Sequence, residues 1–338
     1  MMTPDQAFAV GGQRVAAGTR QCVDLPVVSL YHAPLSMPVQ VVRGRRPGPV
    51  LFVSAALHGD ELNGVEIIRR LLRMRVLERL RGCLLAVPIV NVQGFLMQSR
   101  YLPDRRDLNR SFPGSERGSL AARLAHVFLK EVVKRADFGI DLHTGAVHRP
   151  NLPQIRCDLK QPDTLRMARA FGAPLILDSA TREGSLREYT SSHQIPVILY
   201  ESGEALRFDE LAIRAGVRGI TSVMRELGML PASTWTRKPP EAVVANSSSW
   251  IRAPASGILR TAARLGERVR PGQELGWISD PFMTEETPVV SSEDGVVIGR
   301  SHLPPVNEGD ALFHIARVDE PRATAELVQQ FRDQTNED

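Results

Sequence analysis

The chain has 338 residues, of which 43% are hydrophobic, and its formal net charge is +4. This length can bury a full core and predicts one large domain followed by a small one. No apolar run is long enough to span a membrane and the N-terminus has no signal-peptide pattern, so we expect a soluble, cytoplasmic protein without a membrane partner. The arginines are dispersed along the chain, which argues against a nucleic-acid partner. Cys22, Cys83 and Cys157 have no paired spacing and predict neither a disulfide framework nor a thiolate metal site.

Strands and helices alternate through the first two thirds of the chain. Before residue 46 the pattern predicts strands at 25–31 and 37–42, and residues 50–57 then form a continuous apolar run of the kind buried on both faces of a parallel sheet. The later elements alternate as strands at 84–90, 138–143, 175–177 and 197–201 and helices at 61–80, 120–134, 162–171, 185–193 and 209–227. This order predicts an α/β domain, residues 1–235, with a mostly parallel or mixed sheet flanked by helices.

The pattern changes in the last third of the chain. Residues 236–250 are rich in proline and serine and predict a linker. Short β-prone runs separated by glycines predict a small all-β barrel at 251–320. Residues 321–338 predict a polar tail, either extended or helical. The barrel resembles the biotinyl/lipoyl-type fold, but no lysine follows Lys238, which excludes a carrier function.

Two histidines and a glutamate form a candidate metal site. His58 and Glu61 stand at the end of the apolar run with two residues between them, and His143 ends the strand predicted at 138–143. A catalytic zinc takes three such protein ligands and leaves one position open for water, so we predict a Zn²⁺ site here. Asp141 precedes His143 by two residues and either supports that imidazole or points to the other face of the strand.

Further polar residues are predicted at the same edge of the sheet. Glu201 ends an apolar strand, where a carboxylate either caps the next turn or acts as a base on water. Arg100, Asn109 and Arg110 lie in a stretch rich in arginine, and a guanidinium binds a carboxylate through a planar fork. We interpret that stretch as an anion pocket, with a solvated basic loop as the alternative.

Five motifs in this order resemble the succinylglutamate desuccinylase/aspartoacylase family, which has the zinc carboxypeptidase-like fold. The motifs are His58-Gly-Asp-Glu61, Asn91, Asp107-Leu-Asn-Arg110, Asp141-Leu-His143 and Glu201. The resemblance implies that His58, Glu61 and His143 bind zinc. It also implies that Glu201 is the general base and proton shuttle.

The resemblance further implies how the substrate is held. Asn109 and Arg110 would hold a substrate carboxylate, and Arg100 would help to polarise the scissile carbonyl. The family has one more arginine between the last metal ligand and the base, for which Arg156 and Arg187 are both candidates.

These observations predict a zinc-dependent hydrolase that cleaves the amide bond of an N-acyl amino acid. The alternatives are a zinc carboxypeptidase acting on short peptides and a metal-dependent small-molecule-binding protein without turnover. Glu201 argues against a binding protein, which needs no base beside a water. We also expect the C-terminal barrel to pack against the mouth of the site and narrow it. A homo-oligomer is compatible with this sequence.

Overall fold

The computed structural model describes residues 8–31, 33–232 and 241–337. Helices cover both faces of a large mixed sheet, and antiparallel strands follow in the C-terminal part, which confirms the predicted fold class. The helices are α1 (Asn63–Arg73), α2 (Val92–Leu96), α3 (Leu120–Glu131), α4 (Pro162–Phe171), α5 (Leu186–Ser192), α6 (Glu210–Glu226) and α7 (Pro321–Glu337). Short 3-10 turns occupy Arg75–Arg79, Leu108–Arg110 and Val133–Arg135.

The strands fall into an N-terminal and a C-terminal group. The first group is β1 (Phe8–Val10), β2 (Gln13–Val15), β3 (Arg20–Leu30), β4 (Ala33–Arg43), β5 (Arg46–Ala55), β6 (Arg81–Val87), β7 (Phe138–Gly145), β8 (Asn151–Cys157), β9 (Leu175–Asp178) and β10 (Val197–Glu204). The second group is β11 (Val243–Ala245), β12 (Ser247–Arg252), β13 (Gly257–Thr261), β14 (Arg268–Val269), β15 (Glu274–Ser279), β16 (Glu286–Val290), β17 (Gly295–Arg300), β18 (Pro305–Val306) and β19 (Ala311–Arg317).

The centre of the large sheet is the parallel run β6-β5-β7-β10. Antiparallel β4 and β3 extend it beyond β6, and antiparallel β8 extends it beyond β10. Because both faces of a parallel sheet are covered, the apolar run at the end of β5 is buried throughout. Parallel strands also end at one edge of the sheet, so the residues that end β5, β7 and β10 lie close together.

Each face of the sheet packs against helices through a separate hydrophobic layer. On one face, α1, α4 and α6 contribute buried side chains such as Ile68, Met167 and Ile220. On the other face, α3 contributes Leu124 and Phe128 at helical spacing. Burial of these apolar stripes stabilises the helices and holds the edge that carries the functional residues.

The helix predicted at 61–80 is shorter in the structure. It ends as α1 at Arg73 because Met74 takes an extended backbone (φ −71, ψ 124), and a separate 3-10 turn follows. This break lets Leu77 and Leu80 enter the same core as α1. Helical periodicity did not reveal it, since both leucines also fit a continued helix.

Part of the predicted linker forms strands. Residues 233–240 lie outside the described part of the chain, but β11 pairs in parallel with β9 and β12 pairs antiparallel with β19. Residues 243–250 are therefore not a linker, because Val243 and Ala245 pack against Leu175 and Leu177. The apolar run at 243–245 is short and is followed by three serines, so the sequence pattern did not predict a strand there. The division into domains near residue 235 stays a prediction.

The C-terminal strands form an all-β unit, as predicted. The sheet β16-β15-β13-β18 and the antiparallel strands β12, β19 and β17 contribute to one core, which includes Leu275, Phe313 and Ile315. Strand β17 also continues the large sheet, because Gly299 pairs with Asn151 of β8.

The predicted polar tail forms the packed helix α7. Its buried residues recur at helical spacing and place Phe331 against the core beside α6. They are Thr324, Val328, Phe331 and Thr335. A stripe with only two large apolar residues is too weak to recognise in a polar sequence. Among the described residues, no helix is both long and apolar enough to cross a lipid bilayer.

Candidate active site

The turn after β5 brings His58 and Glu61 together. Ala56 takes a left-handed backbone (φ 49) and ends the strand, and the N–H of Glu61 donates to the carbonyl oxygen of His58 (3.2 Å). This closed turn places both side chains on the same side of the chain. Non-glycine residues rarely adopt a positive φ, and such strain is often found at functional sites.

Gly59 lets this turn lie against α2. A Cβ at Gly59 would lie 1.9 Å from the carbonyl carbon of Gly94 and 2.2 Å from the backbone nitrogen of Phe95. Asn91 holds α2 in place, because its Oδ1 accepts from the Gly94 N–H (2.8 Å). The described contacts thus give Asn91 a structural role beneath the turn.

We expect Gly59→Ala to destabilise the protein by about 3 kcal/mol, because backbone atoms cannot yield as easily as the end of a side chain. Chemical denaturation measures the change in the free energy of unfolding. Leu96→Ala is the control on α2, the helix that the turn contacts. Leu96 is 73% exposed, so we expect its free energy of unfolding to change by no more than about 0.5 kcal/mol. Equal stability of the Gly59→Ala variant and the parent would contradict the close packing of the turn against α2.

The three predicted metal ligands form one buried cluster. The two carboxylate oxygens of Glu61 each contact one imidazole, at 2.7 Å from His58 Nδ1 and 2.7 Å from His143 Nδ1. Candidate ligand atoms from the three residues lie within 4.8 Å of one another. The three residues are 3%, 3% and 6% exposed, so the cluster is shielded from bulk solvent.

Carboxylates also contact the outer nitrogens of both imidazoles. Asp141 Oδ2 lies 2.8 Å from His143 Nε2, and Asp107 Oδ1 lies 3.1 Å from His58 Nε2. Asp141 is itself fixed by the Ser54 hydroxyl, which donates to its Oδ1 (2.7 Å). Asp141 therefore supports His143 and does not point to the other face. Such carboxylates orient an imidazole for metal binding.

The charges of this cluster fit a divalent cation. Although burial disfavours charged imidazoles, Glu61 and Asp107 raise the pKa of His58, and Asp141 and Glu61 raise the pKa of His143 well above its usual value. Burial also opposes ionisation of Glu61, but the imidazoles hold its pKa far below the usual range. If both imidazoles are neutral, the carboxylates of Glu61, Asp107 and Asp141 carry three negative charges and the Arg100 guanidinium carries one positive charge. The cluster then has a net charge of −2. A divalent metal ion would neutralise this charge, and metal binding displaces such protons.

Arg100 lies beside the cluster. Its Nη2 donates to Asp107 Oδ2 (3.0 Å), and its Nη1 is 3.5 Å from Glu61 Oε1. The structure therefore places Arg100 at the predicted metal site, although Arg100 is at least 39 residues from Glu61 and from His143 in the sequence. Its side chain is 31% exposed and so remains accessible to a ligand from solvent.

Glu201 lies on the strand next to His143. Parallel pairing of β10 with β7 sets Glu201 directly opposite His143. Its side chain is 17% exposed and has two partners: Arg156 Nε lies 2.5 Å from its Oε2, and Asn151 Nδ2 donates to its Oε1 (2.6 Å). Of the two arginines that the sequence left open, Arg156 is thus the one that contacts Glu201.

Arg187 is held differently. Its guanidinium donates to the backbone carbonyl oxygens of Ser179 (3.0 Å) and Ala180 (3.3 Å). Burial and the neighbouring Arg156 guanidinium lower the pKa of Arg187. The guanidinium groups of Arg156 and Arg187 therefore share one charged region with the Glu201 carboxylate.

Asn109 and Arg110 follow Asp107 in a 3-10 turn. Asn109 Oδ1 accepts from the Leu186 N–H (2.9 Å) and so ties the turn to the first residue of α5. Arg110 is exposed, and its guanidinium donates to the carbonyl oxygen of Asn109. Partial desolvation by neighbouring protein atoms and the nearby guanidinium groups of Arg182 and Arg100 lower the pKa of Arg110. Arg110 therefore lies near two other guanidinium groups and the Asp107 carboxylate.

Sequence reasoning missed two residues of the site. Asp107 lies in one of the motifs, but nothing in its local spacing links it to His58. Asn151 begins β8, a strand that the sequence pattern does not predict. An isolated asparagine before a proline-containing run is an ordinary turn signal.

Together the fold and the buried cluster define an α/β protein with a candidate metal centre at one edge of its sheet. Residues 47–227, more than half of the chain, match the family model for the succinylglutamate desuccinylase/aspartoacylase catalytic domain. The chain therefore belongs to the succinylglutamate desuccinylase/aspartoacylase family, a family of amidohydrolases. This confirms the family that the motifs indicated.

Individual relatives agree with this assignment. The chain is 28% identical over 297 residues to N-alpha-acetyl-L-2,4-diaminobutyric acid deacetylase of Halomonas elongata, covering 83% of this chain and 86% of that protein. It resembles the crystal structure of a succinylglutamate desuccinylase/aspartoacylase from Rhodobacter sphaeroides (TM-score 0.79, 26% identity, 88% of this chain and 96% of that chain). The product-bound ectoine utilization protein EutE (DoeB) from Ruegeria pomeroyi shares the fold (TM-score 0.78, 22% identity, 88% and 95%).

Proposed function

We propose that the protein is a zinc-dependent deacylase that hydrolyses the amide bond of an N-acyl amino acid. The observation that carries this proposal is the position of Glu201, on the strand directly beside a buried His58, Glu61 and His143 cluster. Two imidazoles and one carboxylate are a ligand set of catalytic zinc, and an adjacent carboxylate supplies the base that hydrolysis requires.

Zinc, when bound by these three residues, supplies Lewis-acid chemistry: it polarises a carbonyl and lowers the pKa of water. Asp107 and Asp141 occupy the Nε2 atoms of His58 and His143, so the Nδ1 atoms, which contact Glu61, would be the ones that bind the metal. The chain thus fixes the ligands before a metal arrives.

Glu201 moves the proton in this reaction. Its carboxylate accepts a proton from the attacking water and then delivers it to the nitrogen of the leaving amine. Arg100 can donate from its guanidinium to the carbonyl oxygen as negative charge develops there. Asn109, Arg110, Arg156 and Arg187 are proposed to bind the substrate, and the excess of guanidinium groups supports a carboxylate-bearing one.

A substrate panel tests the proposed function. The purified zinc protein is incubated with N-acetyl, N-succinyl and N-formyl amino acids, including Nα-acetyl-L-2,4-diaminobutyrate, and release of free amine is measured. We expect at least one acyl amino acid to be hydrolysed with a kcat/KM of about 10⁴ M⁻¹s⁻¹ or more. Hydrolysis of unacylated dipeptides without deacylation would contradict the proposal and favour a carboxypeptidase.

Arg110→Lys tests the proposed anion pocket. Lysine keeps the charge but loses the planar fork, so we expect KM to rise about tenfold while kcat changes little. Arg106→Lys is the matched control, because Arg106 is exposed in the same loop and should leave KM unchanged. Unchanged kinetics of the Arg110→Lys variant toward every carboxylate-bearing substrate would move the anion pocket elsewhere.

A further inference from the structure

Both oxygens of the Glu201 carboxylate are held, by two residues of β8. Arg156 contacts Oε2 at 2.5 Å, and the Asn151 amide donates to Oε1 at 2.6 Å. A single contact to one oxygen leaves the carboxylate plane free to rotate about its terminal torsion, which is soft. The second contact, from Asn151, is the one that defines this plane.

Asn151 is also the residue at which the C-terminal strands meet the large sheet. It pairs with Gly203 of β10 on one side and with Gly299 of β17 on the other. Asn151 is 7% exposed, so its side chain is largely shielded from bulk water.

Gly299 lies directly against the Asn151 amide. A Cβ at Gly299 would lie 2.6 Å from Asn151 Oδ1 and 3.3 Å from the Cβ of His314. The Asn151 amide would have to move away from such a side chain, because His314 closes the other side. Rotation of this amide would break its hydrogen bond to Glu201 Oε1.

We propose that Asn151 is a positioning residue for Glu201, and that Gly299 of the C-terminal unit keeps the Asn151 amide in the orientation that donates to the Glu201 carboxylate. The inference rests on the proposed role of Glu201 as the base. It assigns the C-terminal unit a direct part in aligning the proton-transfer group. Small misplacements of such a group reduce turnover strongly, by about a hundredfold for 1 Å.

Kinetics of single and double variants test this inference with the fastest substrate of the panel. We expect Asn151→Ala and the isosteric Asn151→Asp to lower kcat about ten- to a hundredfold, with KM within about threefold of the parent. Zinc content by elemental analysis and the melting temperature should stay close to the parent values, because the Asn151 amide donates to Glu201, which is not a predicted metal ligand.

The double variant separates positioning from general damage. Gly299→Ala should lower kcat about tenfold in the parent, but should have no further effect in the Asn151→Ala background, because it acts through Asn151. Val297→Ala is the matched control on the same strand: it removes packing from the core of the C-terminal unit and should lower the melting temperature without lowering kcat.

Three results would overturn the inference. If Glu201→Gln is inactive but both Asn151 variants keep the parent kcat, Asn151 does not position Glu201. If Glu201→Gln is active, the proposed function itself is wrong. An equal effect of Gly299→Ala in both backgrounds would show that Gly299 does not act through Asn151. Failure of both Gly299 variants to fold would make that glycine a structural residue only.

Discussion

Glu201→Gln is expected to lower kcat by about 10²-fold or more while zinc content and KM stay unchanged. The amide has nearly the same volume as the carboxylate, but it cannot accept a proton from water. The variant also loses the negative charge that pairs with Arg156, while Gln can still accept from the Asn151 amide. Steady-state kinetics and elemental analysis of the same preparation measure the three quantities.

Glu204→Gln is the matched control, since Glu204 ends the same strand, is buried to a similar extent and pairs with Arg207 (2.6 Å). We expect it to turn over at the parent rate. A Glu201→Gln protein that hydrolyses acyl amino acids as fast as the parent would remove the proposed base and most of the case for a deacylase.

His58→Ala and His143→Ala are each expected to lose most of the bound zinc and with it all measurable hydrolysis. Three protein ligands complete a catalytic zinc site, and two remaining ligands bind far more weakly. Elemental analysis after gel filtration measures the zinc content per chain, which should be about one in the parent. His126→Ala is the control, because His126 lies on α3 beside Glu116 and outside the cluster.

Asp141→Asn extends this test to the support of the ligand. Asparagine keeps the size of the side chain but weakens the contact to His143, so we expect zinc affinity to fall about 10- to 100-fold, less than in the histidine variants. Full zinc occupancy in either histidine variant would show that the ligand assignment is wrong.

The features that the sequence determined are local or periodic. His58 and Glu61 lie within one turn of the chain, so their spacing is visible in the sequence. The apolar run of β5 predicts that this strand is buried on both faces. The alternation of strands with helices predicted the α/β class and placed His143 and Glu201 at strand ends, and the structure shows them on adjacent strands. Such patterns survive in sequence because each depends on residues a few positions apart.

The short and irregular elements were harder to predict. Strand β11 and helix α7 carry too few large apolar residues to stand out from polar neighbours, and their burial depends on surfaces supplied by distant parts of the chain. The break after α1 was also invisible, because Leu77 fits a helix and a 3-10 turn equally well.

Only the tertiary structure decided which distant residues support the site. Asp107 reaches His58 across 49 residues, and Asn151 reaches Glu201 across 50. The choice of Arg156 over Arg187 as the partner of Glu201 follows from the antiparallel pairing of β8 with β10, which no local pattern records. Gly299 gains its significance in the same way, because strand order and register alone bring the C-terminal unit against Asn151. Contacts of this kind depend on how whole strands are arranged, and that arrangement is a property of the folded chain.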